Sequence, residues 1–141
     1  MSEHAPLSLA VTWSDPQWQA SAEALAEADG KQVYVFGGIP GETVVAEVLR
    51  ERRGYIAAQV VEVVRPSPHR IEPPCGYFGR CTGCQWQHID YGHQLSIKHG
   101  AVAAALHAYP ELASLEVQPT APSEQQLYYR NHARFTVRGG T

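Results

Sequence analysis

The sequence TVVAEVLRERRGYIAAQVVEVV at residues 43–64 consists of two β-branched runs joined by a short polar link. The runs are residues 43–49 and 55–64, and the link is Arg50–Gly54. β-Branched residues pack well on a pleated surface, and a short link containing Gly allows two such runs to pair as antiparallel neighbours. The stretch therefore predicts a β-hairpin.

Other short elements precede the hairpin. Residues 7–12 (LSLAVT) alternate apolar and polar side chains, and residues 32–36 (QVYVF) form another strand-like run. Residues 17–28 (QWQASAEALAEA) are rich in Ala and Glu and favour a helix by propensity. Short strands this close in sequence predict a small antiparallel barrel. We expect it to end near Val64, because the prolines that follow interrupt strand pairing.

The chain changes character after the barrel. Residues 69–90 have the composition of a loop. Asp90 can cap a helix from about Tyr91 to His107, and Pro110 prevents its continuation. Short strands are predicted at Leu115–Gln118 and Tyr128–Arg138. One apolar stripe is expected on the helix, formed by Tyr91, Leu95, Lys98, Val102, Ala105 and Tyr109. The predicted fold class is mainly β with some α.

Length and composition exclude several classes of protein. The 141 residues suit one medium domain or two small ones, and 44% hydrophobic residues indicate a globular chain. No apolar stretch is long enough to span a membrane, and the N-terminus does not resemble a signal peptide. We therefore expect a cytoplasmic protein with no membrane partner.

Charge is distributed unevenly along the chain. The formal net charge is −3, but residues 1–48 carry −6, residues 49–90 carry +2 and residues 91–141 carry +1. A net acidic chain is not a typical nucleic-acid binder, so any such contact must come from local basic segments.

Three cysteines lie within ten residues, in the spacing C-x5-C-x2-C, and the chain has no others. They are Cys75, Cys81 and Cys84. An odd number does not make a complete disulfide framework, whereas clustered thiolates bind soft metals. The spacing fits three ligands of an iron–sulfur cluster with one ligand missing. It also fits zinc, because His88 completes a Cys3His set, and spacing alone does not decide between the two metals.

Three segments together carry a family resemblance. They are GGIPGETVVAEV (37–48), VRPSPHRIEPPCGYFGRCTGCQWQHIDYGHQLSIK (64–98) and YYRNHARFTV (128–137). With these segments the chain resembles the N-terminal part of the RNA (uracil-5-)-methyltransferases, in the branch that carries an iron–sulfur cluster and modifies 23S ribosomal RNA.

The resemblance implies three modules. Residues 5–65 would be a TRAM domain, an OB-like β-barrel that binds RNA. Residues 66–90 would be a cysteine-rich loop, whose three cysteines supply three of the four ligands of a [4Fe-4S] cluster. Residues 91–141 would begin an α+β central domain that is incomplete here. In this family a glycine-rich segment usually precedes the strand that corresponds to QVYVF, so residues 17–28 form either a real helix or an irregular strand.

The resemblance also implies an enzyme whose chemistry lies outside this chain. In the family a cysteine attacks C6 of the target uracil, and C5 then takes a methyl group from S-adenosylmethionine. No Cys follows Cys84, so we expect the fourth cluster ligand, the nucleophile and the S-adenosylmethionine-binding domain downstream, and the chain alone to be inactive. RNA, specifically 23S ribosomal RNA, is the implied partner of a monomeric full-length enzyme, and no DNA partner is expected.

Two segments supply candidate RNA contacts. The first is the hairpin link with the residue that follows it, where the candidates are Arg50, Arg52, Arg53 and Tyr55. The second is the YYRNHARFTV segment, where the candidates are Arg130, Asn131 and Arg134. Trp86, Tyr77 and Phe78 flank the cysteines and are expected to shield a cluster from water. The alternative hypothesis is a free-standing RNA-binding module with a Cys3His zinc site. A third is a structural adaptor whose last strand pairs with another chain.

Overall fold

The structure is a computed structural model that describes residues 5–12, 24–81 and 83–132. The described part of the chain is mainly β with one helix, which confirms the predicted fold class. Its elements are β1 (Leu7–Ala10), β2 (Ala24–Ala28), β3 (Lys31–Phe36), β4 (Thr43–Glu51), β5 (Tyr55–Arg65) and α1 (Tyr91–His107).

The five strands form one sheet that closes on itself. Its order is β1-β4-β5-β3-β2, and every pair is antiparallel except β3 with β5. The two edge strands meet just beyond β1, where Thr12 and Leu25 exchange backbone hydrogen bonds of 2.6 and 3.0 Å. The sheet is therefore a five-stranded barrel of the OB-like kind.

The predicted hairpin is the centre of this barrel. Strands β4 and β5 pair along their length with three register shifts, two of which leave an extra residue in β5 and one an extra residue in β4. Such bulges bend a strand and increase its twist, which a small sheet needs in order to close. Strand alternation directs Val44, Ala46, Ile56 and Ala58 into the core, where Val33 and Val35 from β3 complete the packing.

The segment 24–28 is a strand, so the helix favoured there by propensity is wrong, and the strand alternative holds for these residues. Residues 13–23, which include the rest of the predicted helix, lie outside the described part. The buried side chains of Ala24, Leu25 and Ala26 fill the seam where the barrel closes, and pairing with β3 outweighs intrinsic helix propensity. Asp29 and Gly30 connect β2 to β3 with φ of 50° and 70°, and two positive φ values are typical of a tight hairpin turn.

Helix α1 begins and ends as predicted. The Asp90 carboxylate accepts a hydrogen bond of 3.0 Å from the His93 N–H and caps the first turn. The predicted apolar stripe is wrong, because Ile97 and Ala101 are the buried helix residues, whereas Val102 is 51% exposed. The contact face is set by the loop against which the helix packs. In the described ranges, no helix has both the length and the apolarity to cross a membrane.

The chain after α1 returns along the helix as an irregular segment. The predicted strand at Leu115–Gln118 is wrong, since these residues form no strand and no strand pairing within the described part of the chain. Three hydrogen bonds instead tie the segment to successive turns of the helix: His99 Nε2 to the Val117 carbonyl (3.0 Å), Thr120 Oγ1 to the Leu95 carbonyl (3.1 Å) and the Ser123 N–H to the Tyr91 hydroxyl (2.8 Å). The helix partners move backwards as the segment advances, so the two run antiparallel.

The last predicted strand is only partly within the described residues. Tyr128 to His132 are not in a strand, and Tyr128 has a φ of 58°, which is incompatible with extended backbone. This half of the prediction is wrong. The other half, from Ala133 to Arg138, lies outside the described residues.

Candidate RNA-binding face and cysteine loop

A buried ion pair joins the barrel to the loop that follows it. Glu42 is 1% exposed and lies in the turn before β4. Its two carboxylate oxygens accept hydrogen bonds from Arg70 Nε at 2.6 Å and from an Arg70 terminal nitrogen at 2.7 Å. They also accept from the backbone N–H groups of Ile39 (2.8 Å) and Ser67 (3.0 Å). Each carboxylate oxygen therefore accepts two hydrogen bonds, which offset the cost of burying the charge.

The charge of Glu42 is retained despite its burial. Burial by itself raises the pKa of this carboxyl, but the hydrogen bonds from Arg70, Ser67 and Ile39 together hold the pKa below its ordinary value. Arg70 also donates to the Gly37 carbonyl at 2.7 Å. The pair thus fixes the start of the cysteine loop on the β3–β4 turn.

A second, smaller core holds the far end of the loop. Ile39 from the barrel, Ile89 from the loop and Ile97 from α1 are buried against one another, with Trp86 packed at their side. Gln94 on the helix donates to the Trp86 and Ile89 carbonyls at 3.0 and 2.9 Å. The cysteine loop is therefore fixed at both ends, although it has little regular structure of its own.

His88 is buried within this junction. Its ring is 1% exposed, lies 5.1 Å from the Phe78 ring, and has no hydrogen-bond partner of normal geometry on either nitrogen among the described residues. Burial, followed by the positive charge of Arg70, lowers the pKa of His88 to about 4, and the backbone of Gly38 and the Glu42 carboxylate oppose this only partly. His88 is consequently a neutral packing residue at neutral pH.

The three cysteines lie on the part of the loop that faces solvent. Cys81 and Cys84 are exposed, Cys75 is half-buried, and none forms a disulfide. Phe78 and Cys81 form one isolated β-bridge with each other. The Phe78 N–H donates a hydrogen bond to the Cys75 carbonyl at 3.0 Å. The loop is therefore a chain of tight turns that carries free thiols.

The thiols of the three cysteines are suited to binding a soft metal. The three thiols are unpaired, and the Gly83 N–H donates to Cys81 Sγ at 3.4 Å, so a backbone amide is already directed at a ligand sulfur. Within residues 5–12, 24–81 and 83–132, however, no three His, Cys, Asp or Glu side chains converge as a metal-binding group. The structure brings neither the three cysteines together nor His88 to them.

The candidate RNA contacts of the hairpin are presented on one end of the barrel. Arg50, Arg52 and Arg53 are all exposed, and the Arg52 N–H donates to the Tyr55 carbonyl at 2.9 Å across the turn. Tyr55 faces outward from β5 and meets Tyr34 of β3 edge to face, with ring centroids 5.5 Å apart. The arginines therefore adjoin a pair of aromatic rings on the outer surface. Basic groups beside aromatic platforms are the usual surface for single-stranded nucleic acid.

The second group of candidates lies elsewhere, beside the cysteine loop. Arg130 and Asn131 are exposed, and Arg134 lies outside the described residues. The Arg130 guanidinium is 5.9 Å from the centroid of the Tyr129 ring. Cys84, Trp86 and Tyr128 line the same groove as Arg130. The structure thus separates the predicted contacts into two places, the hairpin tip and this groove.

Sequence reasoning missed several residues that build the site. Tyr34, Glu42, Arg70 and Gln94 were not candidates. The partners of the first three are distant in sequence; Glu42 and Arg70, for example, are 28 positions apart. His69 and His93 stack in parallel with ring centroids 3.8 Å apart and connect the loop to α1. Glu42 and Arg70 both lie within the segments that carry the family resemblance, and this position is the only sign in the sequence that they contribute to the site.

Known proteins similar to this chain are RNA methyltransferases, although no protein-family model matches it. It is 40% identical over 106 residues to an uncharacterized RNA methyltransferase of Bacillus anthracis, covering 74% of this chain and 23% of that protein. One from Porphyromonas gingivalis is 37% identical over 117 residues (83% and 25%), and one from Thermotoga maritima is 39% identical over 111 residues (79% and 25%). The chain spans about a quarter of the length of the curated relatives it matches. At 37–40% identity over 74–83% of its length, the chain is homologous to these RNA methyltransferases, as its motifs predict.

Proposed function

We propose that this chain is the RNA-binding and [4Fe-4S]-binding part of an S-adenosylmethionine-dependent 23S ribosomal RNA (uracil-C5)-methyltransferase that acts in the cytoplasm. The observation that carries the proposal is the relation to RNA methyltransferases over 83% of the chain in the match from Porphyromonas gingivalis and 79% in the match from Thermotoga maritima. The five-stranded barrel in that region supports the assignment of a TRAM domain, which the resemblance implies. Methyl transfer itself is assigned to parts of the relatives that this chain does not include.

The RNA face is assigned to the hairpin tip. Three exposed arginines there would neutralise phosphates, and the Tyr34–Tyr55 pair offers ring faces and edges to unstacked bases. Among the described residues, the rest of the barrel surface is less suitable, because it exposes acidic side chains at Glu27, Asp29 and Glu47. Local positive charge therefore determines where RNA approaches.

The cluster is assigned to Cys75, Cys81 and Cys84. Support comes from the free state of the thiols and from the amide directed at Cys81 Sγ. When bound, the cluster would supply covalent cross-links that order a loop with few apolar residues of its own. The remaining ligand would come from a residue outside this chain.

RNA binding by the hairpin can be tested with a charge-neutral variant. Replacing both Arg52→Gln and Arg53→Gln should weaken binding of a single-stranded RNA about tenfold and reduce the salt slope of log Kd by about 2, since each arginine would lose one phosphate contact. Fluorescence anisotropy at several salt concentrations measures both. Arg65→Gln is the matched control, because Arg65 is equally exposed but lies at the opposite end of β5. Equal losses in the two proteins would contradict the assignment.

The metal assignment can be tested by iron and zinc analysis of protein prepared without oxygen. We expect iron and acid-labile sulfide with visible absorption, lost in Cys75→Ser, Cys81→Ser or Cys84→Ser and kept in His88→Leu, because His88 is a packing residue. Zinc without iron, lost in His88→Leu, would instead support the Cys3His module.

A further inference from the structure

A groove lies between the cysteine loop and the segment that returns along α1. Its volume is about 350 Å³, and its lining includes Trp86, Gln87, Gln94, Tyr128, Tyr129 and Arg130. Volumes of this order are typical of small-molecule sites. The lining is an uncommon mixture for a surface depression, since it combines three aromatic rings, several side-chain amides and one guanidinium.

The two walls are fixed by separate contacts. On the loop side, Gln94 donates to the Trp86 carbonyl at 3.0 Å, and Trp86 packs on the second core. On the other side, the returning segment runs antiparallel to α1 as far as Ser123, whose N–H donates to the Tyr91 hydroxyl at 2.8 Å in the first helical turn. The tyrosines that follow Ser123 are thereby brought beside the cysteine loop.

The aromatic side chains of the returning wall are directed away from any core. Tyr128 is 94% exposed and Tyr129 is 62% exposed. The backbone of Tyr128 has a φ of 58°, a conformation that a bulky residue rarely adopts. Arg130 places its guanidinium 5.9 Å from the Tyr129 ring centroid, within cation–π range. Exposed rings beside a guanidinium can stack on a flat ligand and contact an anionic group attached to it.

The loop wall supplies hydrogen-bonding groups. Gln87 lines the groove, and its Oε1 is shielded from water without a hydrogen-bond partner among the described residues. An acceptor in that state costs free energy, and a ligand donor that reached it from the groove would remove this cost. A nucleobase edge carries N–H donors of this kind.

We propose that the groove holds one unstacked base of a single-stranded RNA, with the base stacked on Tyr128, its edge toward Gln87 and its phosphate toward Arg130. This inference rests on the proposed RNA-binding function and adds a second RNA site, away from the hairpin. The groove matches a nucleotide rather than an apolar ligand, because every apolar ring in it is accompanied by an amide or a guanidinium. It adjoins Cys84, so the bound nucleotide contacts the cysteine loop directly.

The experiment uses the 141-residue chain and a single-stranded RNA that carries 2-aminopurine at one position. Stacking on a protein ring quenches this fluorescent base. We expect quenching on binding, with Tyr128→Ala removing it and weakening affinity about tenfold, as for loss of one stacked base. Tyr128→Phe should retain both effects, since it keeps the ring. Tyr109→Ala is the matched control, because Tyr109 is also an exposed tyrosine but does not line the groove.

The outcomes separate this inference from the proposed function. RNA that binds through the hairpin arginines, with quenching and affinity unaffected by Tyr128→Ala, would overturn the groove site alone. Loss of the same size in Tyr109→Ala would also overturn it, since the effect would not be local. Failure of the unchanged chain to bind the RNA would overturn both proposals. An RNA with an abasic position in place of the reporter base should bind about as weakly as the Tyr128→Ala complex.

Discussion

His88 shows how a single buried residue links the barrel junction to pH. The imidazole is 1% exposed and neutral, with its pKa lowered to about 4 by burial and by Arg70. In the unfolded chain the same group takes up a proton near its ordinary pKa of 6.5. Below that pH the unfolded state therefore binds more protons than the folded state, and the free energy of unfolding decreases as the pH is lowered.

We predict that the chain loses stability between pH 6.5 and pH 4, by roughly 3 kcal/mol at most from His88. Urea unfolding at a series of pH values measures this loss. His88→Leu should flatten that part of the profile and leave stability at neutral pH unchanged or higher, because an unpartnered polar ring is replaced by an apolar side chain. His107→Leu, at the exposed end of α1, is the control and should keep the original profile. An unchanged slope in His88→Leu would contradict the account of His88.

Glu42 and Arg70 are the second point at which single residues determine stability. Removing one partner leaves a buried charge unpaired, so Glu42→Gln or Arg70→Met should each lower the free energy of unfolding by about 3–5 kcal/mol. The double variant should lose much less than the sum of the two, since it removes both charges. The free energies from denaturant unfolding of the three variants test this directly. Additive losses would show that the pair is not coupled.

At the scale of elements, helix α1 supports the loop that carries the cysteines. Its first turn provides the Asp90 cap, the His93 ring that stacks on His69 and the Gln94 amide that holds the loop carbonyls. A change in the first turn therefore affects loop position as well as helix stability.

We predict that Asp90→Ala lowers stability by about 1 kcal/mol through loss of the N-cap hydrogen bond. Amide hydrogen exchange should also speed up in the first helical turn and in the neighbouring cysteine loop. Lys98→Ala, on the exposed face of the same helix, should change neither quantity. Faster exchange at the first turn without any change in the loop would contradict the supporting role of the helix.

The elements also show what can be predicted from the sequence. The hairpin and helix α1 follow from β-branched runs and from a capping residue, both of which act locally. Strand β2 was predicted only as an alternative to a helix, because its Ala-rich composition favours a helix while its partner strand imposes extension. Asp29-Gly30 was the local indication of a hairpin there.

At the scale of the whole molecule, two structural units are joined by a small shared core. The barrel has its own apolar interior, and the cysteine loop with α1 is attached to it through Ile39 and through the Glu42–Arg70 pair. Contacts of this kind join positions far apart in sequence, so periodicity and local propensity do not predict them. The same reason explains why the sequence indicated the RNA candidates by residue type but not their division between the hairpin tip and the groove.

The most direct test of the account is the salt dependence of RNA binding by this chain. We predict that single-stranded RNA binds and that log Kd rises linearly with log salt, because phosphate contacts from the hairpin arginines release counterions. The slope should decrease by about 2 when Arg52 and Arg53 are both replaced by Gln. Absence of RNA binding at low salt, or a slope that the double variant leaves unchanged, would contradict the central claim that this barrel is an RNA-binding module.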